Sequence, residues 1–507
     1  MLCYTLGKMI TSFNTAKKIG ILVMIFISAA MTTDSHATAQ TQPGETWMGI
    51  YFGASKMGYA KMKIAKTVYK GKPGYKLDTL SVTRMLVLGE QIEQSVDSTV
   101  YLDSKSAPLY QAFKMSSAGH STIITAGYSQ KAIVAHIESD GTTSSKSIPV
   151  PPGCKLVGDS TFFSPTLKIK VGDKMDLKCF NPLTLSLDDI RTTVLRKESL
   201  KLNGKAVDTY VIVSSTPLGE MICWQDNKGD LLKVTALMGI TMVKEPKETA
   251  ISIPVQALGY APPDDLAIMT SAHTNREIPG PRQVNRLSIK FVGMKDKSLA
   301  ISDARQKTQF HEGETPYVEY DISADEFDMR KSIILPVSES GFTALLGDTP
   351  YIQPTNPEIL KTAIGIVGDE KNAYKAAAKI RAWVFANMRT KGTIGILRSS
   401  VDVLHAKEGV CRDYAILYAA LARAAGIPAK VVAGLIYWRN GFYYHAWSEV
   451  YVGEWIPMDA TLSTDFVDAT HIKLSVGEAT DMFTSIRTMG ALKADVLTFE
   501  HQQAPLE

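Results

Sequence analysis

The sequence predicts a multidomain protein with a β-rich N-terminal domain, a small β-sandwich-like domain and a C-terminal α+β domain. The chain has 507 residues, and a domain commonly holds roughly 100–200 residues. Up to about residue 253, polar and apolar residues alternate between tight-turn signals such as Asn203–Gly204, which is typical of antiparallel strands. Helix start signals and helical periodicity appear only from Asn356 onward.

Changes in composition give the domain boundaries. Prolines mark a linker after the first domain, and short strands such as 286–292 and 316–322 indicate the small β domain. The expected segments are 40–260 (β-rich domain), 261–283 (linker), 284–350 (small β domain), 351–490 (α+β domain) and 491–507 (C-terminal tail).

Residues 1–39 have the features of a cleaved secretory signal. Lys17 and Lys18 precede an apolar run from Ile19 to Met31, and the small residues Ala37 and Ala39 provide a cleavage site. The apolar run is shorter than the ~20 residues of a membrane-spanning helix. The sequence therefore predicts a periplasmic or secreted protein with no membrane span in its mature form.

The charge balance argues against a nucleic-acid-binding protein, and the cysteine spacing argues against a structural zinc site. With 55 basic and 51 acidic residues, the chain lacks the basic excess of nucleic-acid-binding proteins, so we expect no nucleic-acid partner. No two of the five cysteines form a CxxC pair, so we expect no structural zinc site. Cys154 and Cys179 are the candidate pair for a disulfide, with Cys223 as a buried apolar residue, although sequence does not reveal connectivity.

A helix followed by three antiparallel strands is predicted around Cys411. The helix begins near Cys411 and ends at Gly426, which suits the left-handed residue that follows a helix, and Pro428 prevents its continuation. The three predicted strands are 429–438, 442–452 and 455–461.

Cys411, His445 and Asp459 are the candidate catalytic residues. The first turn of a helix has unpaired backbone N–H groups and the positive end of the dipole, which favour a thiolate at Cys411. A Cys–His pair needs an imidazole that takes the thiol proton and a carboxylate that orients the imidazole. The predicted strands place His445 on the second strand and Asp459 on the third.

The turns between these strands decide whether His445 and Asp459 can meet. The two side chains share one face of the sheet if a three-residue turn, with Gly453 in a left-handed conformation, joins their strands. In the preceding hairpin, a turn centred on Asn440–Gly441 would place His445 opposite Ile436.

Ordered motifs surround the three residues. They are Ser400–Leu404, Lys407–Asp413, Ala422–Ala429, His445–Val450 and Trp455–Thr461. In order and spacing, residues 399–461 resemble the core of the transglutaminase-like superfamily, which has a papain-like fold. The resemblance implies that Cys411, His445 and Asp459 are catalytic, and that acyl transfer proceeds through a thioester without a metal or cofactor. His471, in the segment that follows the core, is interpreted as structural.

The favoured hypothesis is an exported cysteine-dependent acyl-transfer enzyme that acts on amide bonds as a peptidase, amidase or transglutaminase. Its substrate would be a peptide, a protein or a cell-wall polymer. The alternative is a cell-envelope binding or assembly protein, whose β domains bind lipid or polymer and whose Cys–His–Asp group is accessory. Aromatic residues near His445 fit either a cleft wall for a peptide or glycan chain or packing within the sheet. They are Tyr437, Trp438, Tyr443, Tyr444 and Trp447.

N-terminal sequencing of the protein recovered outside the cytoplasm tests the predicted signal. We expect the mature chain to begin directly after Ala39, because signal cleavage follows a small-x-small site. A variant with Arg at positions 37 and 39 should retain the segment. Recovery of the unaltered chain with residues 1–39 still attached would contradict the prediction.

Overall fold

The computed structural model describes residues 44–87, 90–139, 141–158, 169–253, 265–324, 327–337, 340–391 and 396–502. The predicted signal lies outside the described residues. The chain divides into two compact units, one formed almost entirely by residues up to 253 and the other by residues 265–502. No helix among the described residues combines the length and the apolar character needed to cross a membrane.

The first unit is built on one 15-stranded sheet. Its strands are β1 (Gly44–Phe52), β2 (Ser55–Tyr69), β3 (Lys72–Val87), β4 (Glu90–Asp103), β5 (Pro108–Ser117), β6 (His120–Tyr128), β7 (Ala132–Ser139), β8 (Thr142–Pro149), β9 (Leu156–Val157), β10 (Lys174–Asn181), β11 (Ser186–Leu202), β12 (Lys205–Thr216), β13 (Gly219–Asp226), β14 (Leu231–Thr235) and β15 (Ile240–Lys244). A 3-10 helix (Leu237–Gly239) precedes β15, and a short helix α1 (Lys247–Ile251) follows it.

Consecutive strands of this sheet are mostly neighbours. The order is β8-β7-β6-β5-β4-β3-β2-β1-β15-β14-β13-β12-β11-β10-β9. Strand β9 runs parallel to β10. Side chains alternate between the two faces, so that Ile133, Ala135 and Ile137 of β7 are buried while the residues between them are exposed. The β-rich character predicted for this region is confirmed.

The expected disulfide between Cys154 and Cys179 is not formed. Cys179 packs in an apolar cluster with Val157 and Leu177. In the register of β9 and β10, Cys179 lies opposite Val157, and Cys154 precedes Val157 by three residues. Three extended residues span about 10 Å, which exceeds the ~4.4–6.8 Å between the Cα atoms of a disulfide.

The second unit contains five α-helices and eleven strands in its described residues. The helices are α2 (Leu266–Thr270), α3 (Pro357–Val367), α4 (Ala373–Asn387), α5 (Ser400–Ala406) and α6 (Cys411–Ala424). The strands are β16 (Ala272–His273), β17 (Val284–Val292), β18 (Gln306–His311), β19 (Tyr317–Ser323), β20 (Arg389–Thr390), β21 (Glu408–Gly409), β22 (Ala429–Trp438), β23 (Gly441–Tyr451), β24 (Trp455–Met458), β25 (Ile472–Gly477) and β26 (Lys493–His501). The 3-10 helices are Pro281–Gln283, Lys297–Leu299, Met329–Lys331, Ser340–Leu345 and Ala479–Thr488.

Two sheets organise this unit. A five-stranded sheet has the order β16-β23-β22-β25, with β24 also paired to β23. A four-stranded antiparallel sheet has the order β18-β19-β17-β26, and β20 and β21 form a separate parallel pair. Phe291 of β17 contacts Phe442 of β23 edge to face, with ring centroids 5.5 Å apart, so the two sheets share one apolar core.

The layout differs from the predicted one at both ends of this unit. Residues 493–501, expected in a C-terminal tail, form β26 and pair with β17. The described part of the expected linker contains α2 and β16, and Ala272 of β16 pairs with Phe442. Instead of a separate sandwich-like domain, the small β region is a single sheet within the second unit. Short segments carry too little periodicity to predict pairing with partners that are remote in sequence.

Local sequence signals set the helix boundaries. Asn356 caps α3 by accepting hydrogen bonds from the backbone N–H groups of Glu358 and Ile359. Asn372 caps α4 in the same way. Ser399 caps α5 by accepting a hydrogen bond from the backbone N–H of Asp402. Beyond α6, Gly426 has φ +80°, and this left-handed conformation lets the chain turn directly into β22.

Replacing Phe291 tests the core shared by the two sheets. Phe291→Ala should lower the free energy of unfolding of the second unit by about 3–5 kcal/mol, because a fully buried aromatic ring leaves a cavity. The control Leu497→Ala, at a side chain that is 43% exposed, should change it by less than about 0.5 kcal/mol. Urea unfolding followed by tryptophan fluorescence measures both, and equal effects would contradict the shared core.

Candidate active site

Cys411 is the first residue of α6, and a buried charge pair fixes the turn that presents it. The Asp413 carboxylate accepts a hydrogen bond from the backbone N–H of Val410 (2.8 Å), which closes the first turn. Arg398, only 1% exposed, approaches the same carboxylate to 3.2 Å. A Cβ at Gly409 would lie 2.4 Å from Asp413 and 2.5 Å from Arg398, so a larger residue does not fit. Cys411 is thereby held where a helix N-terminus favours an anion.

Helix α6 packs against β23, the strand that carries His445. All its residues from Cys411 to Arg423 are buried, which is typical of a helix at the centre of a domain. The Ser448 hydroxyl of β23 donates a hydrogen bond to the carbonyl of Ala415 (3.1 Å). This contact fixes the distance between the helix and the strand.

The register of the β22–β23 hairpin differs from the predicted one. His445 lies opposite Gly434, not opposite Ile436. The prediction was wrong because the central turn residues are Arg439–Asn440, one position earlier, with φ values of 45° and 63°, as a two-residue type I′ turn requires. A Cβ at Gly434 would lie 1.9 Å from the Ile472 carbonyl oxygen, so glycine at this position allows β25 to approach.

The turn between β23 and β24 brings His445 and Asp459 together. Tyr451 pairs with Trp455 across a three-residue connection, and Gly453 within it has φ +122°, which confirms the predicted geometry. His445 Nε2 donates to Asp459 Oδ2 at 2.7 Å.

The other ring nitrogen of His445, Nδ1, makes no hydrogen bond and is left for the Cys411 thiol, which interacts electrostatically with this imidazole. Cys411, His445 and Asp459 are all buried, with 6%, 5% and 1% of their surfaces exposed. The structure therefore brings the three predicted residues together at one point.

The Asp459 carboxylate also binds a second histidine. Its Oδ1 accepts hydrogen bonds from the backbone N–H and the hydroxyl of Thr461, at 2.8 and 2.7 Å. Its Oδ2, the partner of His445, also lies 3.2 Å from His471 Nε2. His471 lies directly before β25 and is fully buried. The sequence analysis interpreted His471 as structural, and its contact with the candidate catalytic carboxylate was not predicted.

These contacts determine the protonation states of His445 and Asp459. Burial lowers the pKa of His445, but the charge of Asp459, its hydrogen bond and the Cys411 thiol outweigh burial and raise the pKa to about 10. Burial raises the pKa of Asp459, but His445 and then His471 hold it well below its usual value. The site therefore favours a His445 imidazolium beside an ionised Asp459.

His445, Asp459 and His471 also have the composition of a metal-binding group. In the described part of the chain, their ligand-type atoms all lie within 4.8 Å of one another. The hydrogen bonds to Asp459 account for this spacing, and the proton on His445 is held tightly, as its raised pKa indicates. The hydrogen bonds of both imidazoles to Asp459 Oδ2 are therefore sufficient to explain the cluster.

The aromatic residues around His445 pack within the protein. Tyr437, Tyr443, Tyr444 and Trp447 are between 1% and 4% exposed. The Tyr437 hydroxyl accepts a hydrogen bond from the backbone N–H of Ile278. Of the two interpretations left open by the sequence, these four residues fit packing rather than an exposed cleft wall.

Residues 361–460 match the family model of the transglutaminase-like superfamily. An uncharacterized protein of Mycobacterium leprae, ML0607, is 30% identical over 143 residues, which are 26% of this chain and 50% of that protein. The chain thus spans about half the length of this curated relative.

Two solved structures are similar to parts of the chain. A proposed cysteine protease from Cytophaga hutchinsonii is 20% identical and covers 43% of this chain and 86% of its own, with a TM-score of 0.31. The periplasmic domain of TgpA from Pseudomonas aeruginosa, bound to ethylmercury, is 15% identical and covers 40% and 95%, with a TM-score of 0.27. From the family match, the chain carries a domain of the transglutaminase-like superfamily at residues 361–460.

Proposed function

We propose that the protein is an exported cysteine-dependent acyl-transfer enzyme that acts on amide bonds. The family match supports an enzyme of the cysteine-dependent type. The single observation that carries the proposal is the 2.7 Å hydrogen bond between His445 Nε2 and Asp459 Oδ2, with the Cys411 thiol interacting with the same imidazole. Three core residues without a common role would have no physical reason to place a thiol, an imidazole and a carboxylate side by side.

The first step of the proposed reaction forms a thioester. The Cys411 thiolate attacks the carbonyl carbon of the amide, and a tetrahedral intermediate carries the negative charge on the former carbonyl oxygen. The C–N bond then breaks while the His445 imidazolium gives its proton to the departing amine. Asp459 keeps the imidazole in place and stabilises its charged form, without taking the proton itself.

The second step releases the acyl group. Water or an amine attacks the thioester carbon, and the neutral His445 imidazole accepts a proton from this nucleophile. The C–S bond breaks, and the Cys411 thiolate and the His445 imidazolium are restored. Attack by water gives hydrolysis, and attack by an amine gives transamidation. In both steps the backbone N–H of Cys411 is the proposed donor to the oxyanion.

The substrate class follows from the amide chemistry and the proposed export. The pattern of residues 1–39 supports release into the periplasm or the medium, where peptides, proteins and cell-wall polymers all contain amide bonds. Hydroxylamine added to reactions with a peptide, a cross-linked peptidoglycan and a glutamine-containing protein would intercept the thioester as a hydroxamate. The substrate that yields a hydroxamate identifies the acyl donor.

Thiol labelling tests the role of Cys411 without a known substrate. At pH 6, iodoacetamide should label Cys411 faster than the partly buried Cys154, because a neighbouring imidazolium favours the thiolate. His445→Gln should slow the labelling of Cys411 by about tenfold or more. Peptide mass spectrometry reports both thiols in one sample, so Cys154 serves as the internal reference.

His405→Gln is the matched control for this experiment. His405 belongs to the same unit, is 54% exposed and contacts Glu358, so its replacement should leave the labelling of Cys411 unchanged. Equal labelling of Cys411 in the unaltered protein and in His445→Gln would count against the proposed Cys–His pair.

Substitutions in the three candidate catalytic residues should lower the turnover rate. Cys411→Ala and His445→Ala should each reduce it by at least about a thousandfold, and Asp459→Ala should reduce it less.

The pH dependence of turnover follows from the raised pKa of His445. The imidazolium that protonates the departing amine is present below this pKa and is lost above it. Because the pKa of His445 is about 10, kcat for amide substrates should fall as the pH rises through this value. Asp459→Asn should move the fall to lower pH, since the largest interaction that raises the pKa is removed. A fall that stays at the same pH in Asp459→Asn would be inconsistent with the assignment.

A further inference from the structure

Lys473 of β25 is a buried amine that lies between two carboxylates. The residue is 5% exposed, and its Nζ contacts Asp303 Oδ2 at 2.5 Å and also contacts Glu449 Oε1. Asp303 lies in the turn before β18, and Glu449 lies on β23 and is 8% exposed. Three segments that are remote in sequence therefore bring one nucleophilic nitrogen and two carboxyl groups into contact.

The carboxyl group of Asp303 is held in the way that attack on its carbon requires. Its Oδ1 accepts hydrogen bonds from the backbone N–H groups of Arg305 (2.9 Å) and Gln306 (2.7 Å). Two such donors stabilise the negative charge that this oxygen gains when a nucleophile adds to the carboxyl carbon. The other oxygen, Oδ2, faces Lys473. The Asp303 side chain is 30% exposed, which gives an oxygen that leaves it a route to solvent.

Gln306, which is fully buried, fixes the backbone next to both groups. Its side chain accepts a hydrogen bond from the backbone N–H of Lys473 (2.9 Å) and donates one to the carbonyl of Lys473 (2.9 Å). Its own backbone N–H binds Asp303 Oδ1. Because one residue binds both partners, the amine and the carboxyl group are kept in contact. Reacting groups held in this way have effective concentrations of about 10⁵–10⁸ M.

We propose that Lys473 and Asp303 condense to an intramolecular isopeptide bond, with Glu449 as the group that moves the protons. Burial raises the pKa of Asp303, but Lys473 and the two backbone N–H groups hold it below its usual value, so the pair starts as an ammonium and a carboxylate. Replacing a buried ion pair by uncharged groups is often neutral or stabilising, and the amide is uncharged. Lys430, which lies opposite Glu449 in the register of β22 and β23, interacts with the remaining charge of Glu449.

The reaction is a condensation that releases one water molecule. Glu449 moves a proton from the Lys473 ammonium to Asp303 Oδ2, which leaves a neutral amine beside a carboxylic acid. Nζ then attacks the carboxyl carbon, the C–N bond forms, and Oδ1 carries the negative charge of the tetrahedral intermediate. Glu449 moves a second proton from Nζ to Oδ2, the bond between the carbon and Oδ2 breaks, and water leaves. Nζ keeps one hydrogen, and Glu449 ends in its starting form.

Mass spectrometry of the unaltered full-length protein tests the bond directly. Trypsin does not cleave after an acylated lysine, so residues 298–305, which contain Asp303, should be recovered covalently joined to residues 440–487, which contain Lys473. The joined peptide should be lighter than the sum of its two parts by the mass of one water molecule. Recovery of residues 298–305 and 440–473 only as separate peptides would overturn the proposal, because the three groups would then form a permanent ion pair.

Variants assign the role of each group. Lys473→Arg and Asp303→Ala should each lose the joined peptide, and Glu449→Gln should form it more slowly by about a hundredfold or more, because the proton carrier is removed. The control is Lys430→Arg, which keeps the charge opposite Glu449 and should form the bond as the unaltered protein does. Formation of the joined peptide at an unchanged rate in Glu449→Gln would refute the assigned proton carrier. If a variant does not fold, the peptides of the unaltered protein decide.

Cys411→Ala separates this inference from the proposed function. The condensing groups do not include the thiol, so Cys411→Ala should contain the joined peptide as fully as the unaltered protein. Loss of the bond in this variant would show that the thiol forms it, and would overturn the self-condensation. If the joined peptide is present while Cys411 is no more reactive than Cys154, the proposed acyl transfer fails and the isopeptide bond stands.

Discussion

The buried carboxylate of Asp459 is the group on which the geometry of the candidate site depends. A charge removed from water persists only if it is paired and its hydrogen-bonding positions are filled. Thr461 fills one oxygen of Asp459, and His445 and His471 meet at the other. These partners come from β23, from the turn after β24 and from the residue before β25. A shift of one residue in the pairing register of β23 or β25 would turn the imidazole of His445 or His471 to the opposite face of the sheet.

Sequence reasoning succeeds where the determining contacts are local. Asn356 and Gly426 mark helix ends because capping and left-handed φ values are requirements of a few adjacent residues. The shared face of His445 and Asp459 follows from a three-residue turn around Gly453, which is also a local matter. The shared face of His445 and Asp459 could therefore be derived before the structure, whereas Cys411 was assigned to the same site from its position at a helix start and from the family resemblance.

The features that were not predicted depend on long-range pairing. A turn shifted by one residue, to Arg439–Asn440, changes the partner of His445 from Ile436 to Gly434, and no local signal favours Arg at a left-handed position. The contact of His471 with Asp459 depends on the placement of β25 beside β22, which no local sequence signal reveals. The buried pair of Arg398 and Asp413 likewise joins residues from different elements.

The pairing of β26 with β17 has a consequence for the order in which the protein is assembled. Every residue of the candidate site precedes β26 in the sequence. Strand β26 completes the four-stranded sheet that contains β18, and Arg305 lies directly before β18. During synthesis the edge of β17 stays open until β26 has emerged, and contacts between remote segments form late. A chain that is truncated or cleaved before residue 493 exposes this edge to other strands. The sheet left incomplete is the one beside which Arg305 donates hydrogen bonds to the carbonyls of Asp468 and His471. Completion of the sheet beside the thiol site is thus linked to the synthesis of residues 493–501.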